Sequence, residues 1–233
     1  MFVDEIFNLF APHICKNCDE VGSSLCNRCI YYISNNSFNY CLLCLSSLDS
    51  KDSHESENLC AKCAKNSPFS RAFAVGFREN ALQKLVDEYK FNSERGSAKI
   101  IAKLLHEALP RNLPTDINVV PLTTVSANIR SRGFDHTKLF SRKLARMRHL
   151  TFSPNILIRT NNLTQHFLEN SENRRENAEK SFAVDSRAKI PEKILLVDDI
   201  LTTGSTVNAA ANLLLKSGAK EIWLAIVARQ PNK

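Results

Sequence analysis

No stretch of this 233-residue chain approaches the ~20 uncharged apolar residues that a membrane-spanning helix requires. The first ten residues turn acidic at Asp4 and Glu5 and hold no basic segment, so a secretory signal is not expected there. They suit a short amphipathic helix, with Phe2, Ile6, Leu9 and Phe10 on one side, that docks on its own domain or, less readily, on a membrane surface. No internal repeat is found except among the cysteines, and no tract is of low complexity. Cysteine is absent after Cys63. Acids are nearly absent between Arg130 and Arg148, where Asp135 stands alone. Apolar residues make up 43%, the composition of a globular protein. The length suits one ordinary domain and a small one.

The small domain is where the cysteines lie. All eight fall into Cys-x-x-Cys pairs: Cys15/Cys18, Cys26/Cys29, Cys41/Cys44 and Cys60/Cys63. A two-residue gap lets two thiolates chelate one tetrahedral zinc, and a second pair completes the shell. Eight ligands predict two closed structural Zn²⁺ sites, and metal supplies the folding energy that so short a segment lacks. A disulfide framework fits less well without a secretion signal. Thioredoxin-like redox chemistry needs one pair in a βαβ setting, not four in loops. Spacing leaves open whether neighbouring or alternating pairs share a metal. His13 and His54 are read as bystanders. Asn66-Ser67-Pro68 marks the boundary, with a zinc module over 1–66 and the main domain over 67–233.

Within the main domain one stretch carries the clearest chemistry: Ile194-Leu195-Leu196-Val197-Asp198-Asp199-Ile200-Leu201-Thr202-Thr203-Gly204-Ser205-Thr206. The apolar run suits a strand buried on both faces of a parallel sheet. The two carboxylates are expected at its carboxyl end, where open α/β sheets place ligands. Four hydroxyls surround Gly204, which lets the backbone approach a bound group. The helix that follows points its unpaired N–H groups at the same spot, favouring a phosphate. Acids for ribose hydroxyls beside a phosphate cradle imply a sugar phosphate. The alternative, an acid pair that merely caps the helix, requires only one acid. The pattern resembles the ribose-phosphate signature of type I phosphoribosyltransferases, which bind phosphoribosyl pyrophosphate.

Phe69 to Arg78 reads as a strand, and Glu79 to Asn92 as a helix through Leu82, Leu85, Val86 and Tyr89. Ile100, Ile101, Leu104, Leu105 and Leu109 mark another helix. Lys90 and Arg95 flank the break between them as candidate phosphate contacts or solvated surface. Ile117 to Leu122 reads as the first strand of the parallel sheet. The basic run follows, with Arg130, Arg132, Lys138, Arg142, Lys143, Arg146 and Arg148. Its helix starts at Asp135 and has Leu139, Phe140, Leu144 and Met147 on its apolar face, which crowds the cations onto the other. Arg130 and Arg132 precede that helix just after a strand, and guanidinium forks fit a pyrophosphate or a nucleic-acid backbone. Ile156 to Arg159, Ser181 to Val184 and Glu221 to Arg229 complete the strands, with Gly218 ending the helix between the last two. Strands alternating with helices from 117 onward predict a parallel α/β sheet. Net charge is +7, which leans towards polyanionic partners such as nucleic acid or anionic lipid.

The order of features extends the resemblance. Four cysteine pairs come first, then Lys90-Phe91, Pro121-Leu122 and Arg130-x-Arg132-Gly133-Phe134. Thr164-x-x-x-Leu168, Arg174-x-x-Asn177 and the ribose-phosphate stretch follow. This order resembles the ComF/ComFC family of competence proteins over nearly the whole chain. The resemblance implies a zinc-finger module on a type I phosphoribosyltransferase fold, in a cytoplasmic protein needed for natural transformation. It also implies handling of incoming single-stranded DNA near the inner face of the membrane, beside the DNA-uptake and recombination machinery. Two positions depart from the family: Asp135-His136 stands where Asn-Gln is common, and Ser205 where alanine is frequent. Asp135 can still cap the helix.

Three functions compete. A DNA-handling competence factor would retain a phosphoribosyl pyrophosphate pocket formed by Asp198 to Thr206 with Arg130, Arg132 and Lys90. Its DNA surface would be Arg130, Arg132, Lys138, Arg142, Lys143 and Arg146 together with the zinc module. Single-strand preference would also need aromatic platforms. Phe134, Phe140, Tyr31, Tyr32, Phe38 and Tyr40 lie near, and most are expected in the core. A working phosphoribosyltransferase would use Asp198 and Asp199 as catalytic acids. Mg²⁺ would bridge pyrophosphate and ribose, with Arg130 and Arg132 on the leaving group. It also needs an acceptor site and a general base, and none is found. A regulatory sensor, in which phosphoribosyl pyrophosphate or a nucleotide tunes DNA or protein binding, is the third. The sequence favours the first.

Overall fold

A computed structural model describes residues 14–35, 38–48, 58–91, 96–124, 129–130, 133–160 and 181–231. His13, His54, Arg95, Arg132, the amphipathic segment over 1–10 and the polar segment over 161–180 lie outside them. Two short helices, α1 (Asn27–Ser34) and α2 (Ala61–Asn66), belong to the cysteine-rich part. Then come β1 (Arg71–Phe77), α3 (Asn80–Phe91), α4 (Ser97–Ala108) and β2 (Asn118–Pro121). After these lie α5 (His136–Arg148), β3 (Thr151–Phe152), β4 (Leu157–Arg159) and β5 (Phe182–Val184). The chain closes with β6 (Lys193–Leu201), α6 (Ser205–Lys216) and β7 (Glu221–Arg229). No helix among the described residues is long and apolar enough to cross a membrane.

Five strands form one sheet in the order β1-β7-β6-β2-β3, all parallel. The sheet begins earlier in the chain than the strand at 117 that the sequence marks as its first. Ala72-Phe73-Ala74-Val75 is apolar on both faces, so β1 is buried on both and joins it as an edge. A second departure is β4, which pairs antiparallel with β5 in a separate two-stranded ribbon. On β6 the ladder with β7 runs through Leu201, so Asp198 and Asp199 lie among the last residues of the strand, at the carboxyl end expected for them.

Alternate residues of β6 supply two cores. Leu195 and Val197 face α3, α4 and α5, whereas Ile194 and Leu196 face α6. The cysteine-rich part straddles the β1 edge. Cys15, Leu25, Cys26, Cys29 and Ile30 enter the first core, and Phe38, Cys41, Leu42 and Leu59 the second. Asn58 covers the edge between them: its N–H donates to Ala72 O at 2.8 Å, and its side-chain oxygen accepts from Ala74 N–H at 3.1 Å. An edge so paired offers no template to another strand.

The last cation of the basic run is drawn inside. Arg148 donates to the carbonyls of His106, Leu109 (2.8 Å) and Pro110 (3.1 Å), groups that the end of α4 leaves without helical partners. Its half-buried position therefore belongs to folding rather than to a surface. Arg148→Ala should cost about 2 kcal/mol by leaving those acceptors unpaired, read as a lower urea midpoint at unchanged slope.

Candidate functional site

A cavity of about 260 Å³ opens at the carboxyl end of the sheet, the position where such sheets hold ligands. Its floor is Asp198 and Asp199 from β6, and one wall is Thr202, Gly204 and Thr206 at the start of α6. Gly204 sits at φ +80° and caps the helix without a side chain. A Cβ there would be strained by φ and would come within 3.3 Å of Asn208 Nδ2. The first N–H groups of α6 thus face the cavity as a cradle for an anion. Thr203 and Ser205 hydrogen-bond each other at 3.1 Å outside the lining. Ile200 and Leu201 line it as strand residues.

The two acids are not equivalent. Asp199 is 5% exposed and is held from two sides, by Lys90 Nζ at 2.8 Å and His136 Nε2 at 2.5 Å. Burial opposes its ionisation, but the His136 hydrogen bond and the Lys90 charge outweigh it and hold the carboxyl below the usual range. Asp198 meets the reverse: burial, and then the adjacent Asp199 charge, raise it well above the usual range. One of its oxygens accepts the Asp199 N–H at 2.9 Å. Asp198 is therefore the acid with capacity left for a ligand hydroxyl.

Packing decides who reaches Asp199. Tyr89 is fully buried and donates its hydroxyl to His136 O at 2.7 Å, which ties the end of α3 to the start of α5. Lys90 follows Tyr89 and is carried to the cavity. Asp135 caps α5 as its sequence position predicts, accepting from Lys138 N–H at 3.1 Å. Thr123 also lines the cavity, and its buried hydroxyl has no partner among the described residues. A ligand oxygen there would satisfy it.

Of the cations named from sequence, Lys90 lines the cavity. Arg130 is exposed and does not, and Arg132 lies outside the described residues. Sequence reasoning missed His136, visible only as a departure from a family pattern, and Arg159, which lines the cavity from β4. No local signal marks Arg159, because β4 reaches the cavity through tertiary packing alone.

On α5, Arg142 and Arg146 are exposed, while Lys138 and Lys143 are half-buried. Lys138 Nζ lies 3.4 Å from Asn155 Oδ1, and the Arg142 guanidinium lies 5.5 Å from the Phe152 ring centre. The aromatics depart from expectation. Phe38 and Phe140 are core, but Tyr31, Tyr32 and Tyr40 are 65%, 66% and 40% exposed. Tyr32 and Tyr40, with Phe38 and Phe77, line a second cavity of about 340 Å³ beside β1.

The cysteines gather as neighbouring pairs: Cys15, Cys18, Cys26 and Cys29 in one cluster, Cys41, Cys44, Cys60 and Cys63 in the other, with all sulfurs of each cluster within 4.8 Å of one another. Cys18 and Cys26 stand 3.6 Å apart, Cys44 and Cys60 3.7 Å. A tetrahedron with metal–sulfur bonds of ~2.3 Å has edges of about 3.8 Å, so the sulfurs fit a four-thiolate metal site. Burial raises the Cys15 thiol, but N–H groups of Cys26, Asn17 and Cys18 bring it down to about 6. Burial likewise opposes Cys44, and the hydroxyl and N–H of Ser46 bring it to about 6. Each cluster thus has a thiolate-prone sulfur to receive a cation.

Among known proteins, the phosphoribosyl transferase domain family matches residues 162–233. Competence protein F of Haemophilus influenzae is 29% identical over 232 residues, which span 96% of this chain and 98% of that protein. DNA utilization protein YhgH of Salmonella typhimurium is 30% identical over 178 residues, 70% of this chain and 75% of that protein. Competence protein ComFC of Streptococcus pneumoniae is 27% identical over 161 residues, 64% of each.

Proposed function

Because the chain belongs to the ComF/ComFC family, we propose that it serves DNA uptake in natural transformation. In this reading it handles incoming single-stranded DNA and binds phosphoribosyl pyrophosphate, or a related ribose phosphate, in the cavity over Asp198. It works in the cytoplasm at the inner face of the membrane, beside the uptake and recombination machinery, with Zn²⁺ in both cysteine clusters. The observation that carries the reading is the match to a competence protein over almost the full length of both chains.

Charge favours one placement of the strand. From residue 11 to 66 the acids Asp19, Glu20, Asp49, Asp52, Glu55 and Glu57 outnumber the cations Lys16, Arg28, Lys51, Lys62 and Lys65. Each metal-bound four-thiolate cluster adds roughly two further negative charges. The cysteine-rich part therefore repels phosphates, and the phosphate track is assigned to α5 through Arg142, Arg146 and Lys143. Replacing Arg142 and Arg146 with alanine should weaken single-strand binding whatever the sequence. It should also flatten the dependence of log affinity on log salt by about 1.4, two contacts at ~0.7 each. An unchanged slope in a fluorescence titration sinks this assignment. Transformation frequency in a strain with the same double change tests the function itself.

The paired carboxylates favour a second reading, Mg²⁺-assisted transfer of the phosphoribosyl group to a nitrogen acceptor. Release of pyrophosphate with any of a panel of acceptors would establish it, and none released would leave binding as the role of the cavity.

A further inference from the structure

We propose that Arg229 is the positioning residue of the loop over 202–204, and that it makes the loop's order depend on metal in the second cysteine cluster but not the first. Arg229 ends β7 and is 4% exposed. A guanidinium that deep is tolerated only when its donors find acceptors. Its Nε donates to Leu42 O at 2.8 Å. Its Nη1 donates to Leu201 O at 3.1 Å, to Gln230 O at 2.8 Å and to Thr202 O. One planar group thus joins the cysteine-rich part to the two carbonyls that open the phosphate loop.

Leu42 is not a free acceptor. It lies inside the turn Cys41–Cys44, fully buried, and donates its N–H to Asn58 O at 2.8 Å. The turn is closed by Leu45 N–H to Cys41 O at 2.8 Å. A metal drawing Cys41 and Cys44 to Cys60 and Cys63 locks that turn, and with it the Leu42 carbonyl. Without the metal the carbonyl can swing, and the fork that also holds Leu201 and Thr202 loses one anchor. The first cluster packs in the core on the opposite face of the sheet and holds no bond to this arginine among the described residues.

The test is amide hydrogen exchange over 201–207 in the full-length, zinc-loaded chain, with zinc content measured alongside. Cys44→Ser and Arg229→Gln should speed exchange there about tenfold or more and spare 195–197, whereas Cys18→Ser should leave the loop within about twofold. Arg229→Lys keeps the charge but not the fork, guards against misfolding of the other variants, and should speed the loop alone. Combined with Arg229→Lys, Cys44→Ser should add nothing further to the loop. Equal loop exchange in Cys18→Ser and Cys44→Ser, or wild-type exchange in Arg229→Lys, overturns the proposal. Affinity for phosphoribosyl pyrophosphate, which rests on the reading above, should fall in the same variants. Failure of the wild type to bind it would sink that reading, and the exchange result would still decide the role of Arg229.

Discussion

Asp198→Asn should make the ligand-free protein more stable, by about 1 kcal/mol, whereas Asp199→Asn should cost about 3 kcal/mol. Neighbouring acids with opposite effects follow from their surroundings. Asp199 is the counter-charge of Lys90 and the hydrogen-bond partner of His136, both largely buried, and an amide leaves the Lys90 ammonium without its anion. Asp198 has burial and a neighbouring carboxylate against it, and a neutral side chain of the same shape relieves both. The sign with pH separates them further. The Asp199 carboxyl is lowered in the folded state, so its stabilisation is present above the unfolded value of ~3.9 and fades as pH falls towards the folded one. Asp198 is raised, so its penalty is absent below ~3.9 and grows as pH rises towards the folded value. The gain from Asp198→Asn should therefore vanish in acid. Both changes should weaken phosphoribosyl pyrophosphate binding, Asp198→Asn by roughly 10- to 100-fold through the loss of one carboxyl hydrogen bond to the ligand. Calorimetric unfolding against pH, with a ligand titration on the same samples, checks all of this. Two destabilised variants would sink the account of the pair.

Stripping metal is the second large effect. A chelator should lower Tm by about 10 °C or more and release two zinc ions per chain. Leu25 and Ile30 are held in one core by the first cluster, and Phe38, Leu42 and Leu59 in the other by the second. Exposing two or three of these side chains loses about 4 kcal/mol or more. Each kcal/mol is worth roughly 2–4 °C for a chain of this size. Because the clusters enter the cores on both faces of the sheet, the loss should appear in the main transition rather than as a separate early one. An unchanged Tm in protein shown to lack metal would mean that the clusters contribute little to the cores.

Much of this was legible one residue at a time. The two-residue gap in each cysteine pair is itself a chelate bite, so metal chemistry needs no knowledge of the fold. The apolar run Ile194 to Val197 is long enough and uncharged enough to demand burial on both faces, and Gly204 and Gly218 bracket the helix after it. Asp135 announced its cap by preceding a helical pattern. These are local or periodic signals, and the backbone obeys them wherever the segment lies.

What remained depended on who meets whom across the sheet. Spacing could not tell neighbouring from alternating cysteine pairs, because both satisfy a tetrahedron, and β1 and Asn58 decided by placing one cluster on each face. Asp198 and Asp199 look identical in the sequence, yet the Tyr89 bond to α5 brings Lys90 and His136 to only one of them. Arg148 and Arg142 read as the same basic run until α4 ended beside one and not the other. Arg229 carried no signal at all, since a strand-end arginine is usually solvated. By itself the sequence determined the thiolate sites and the strand-turn-helix that can cradle a phosphate, because those are short-range. Only the tertiary structure decided which acid is free and which arginines are buried, because burial and charge pairing are set by residues far away in the chain.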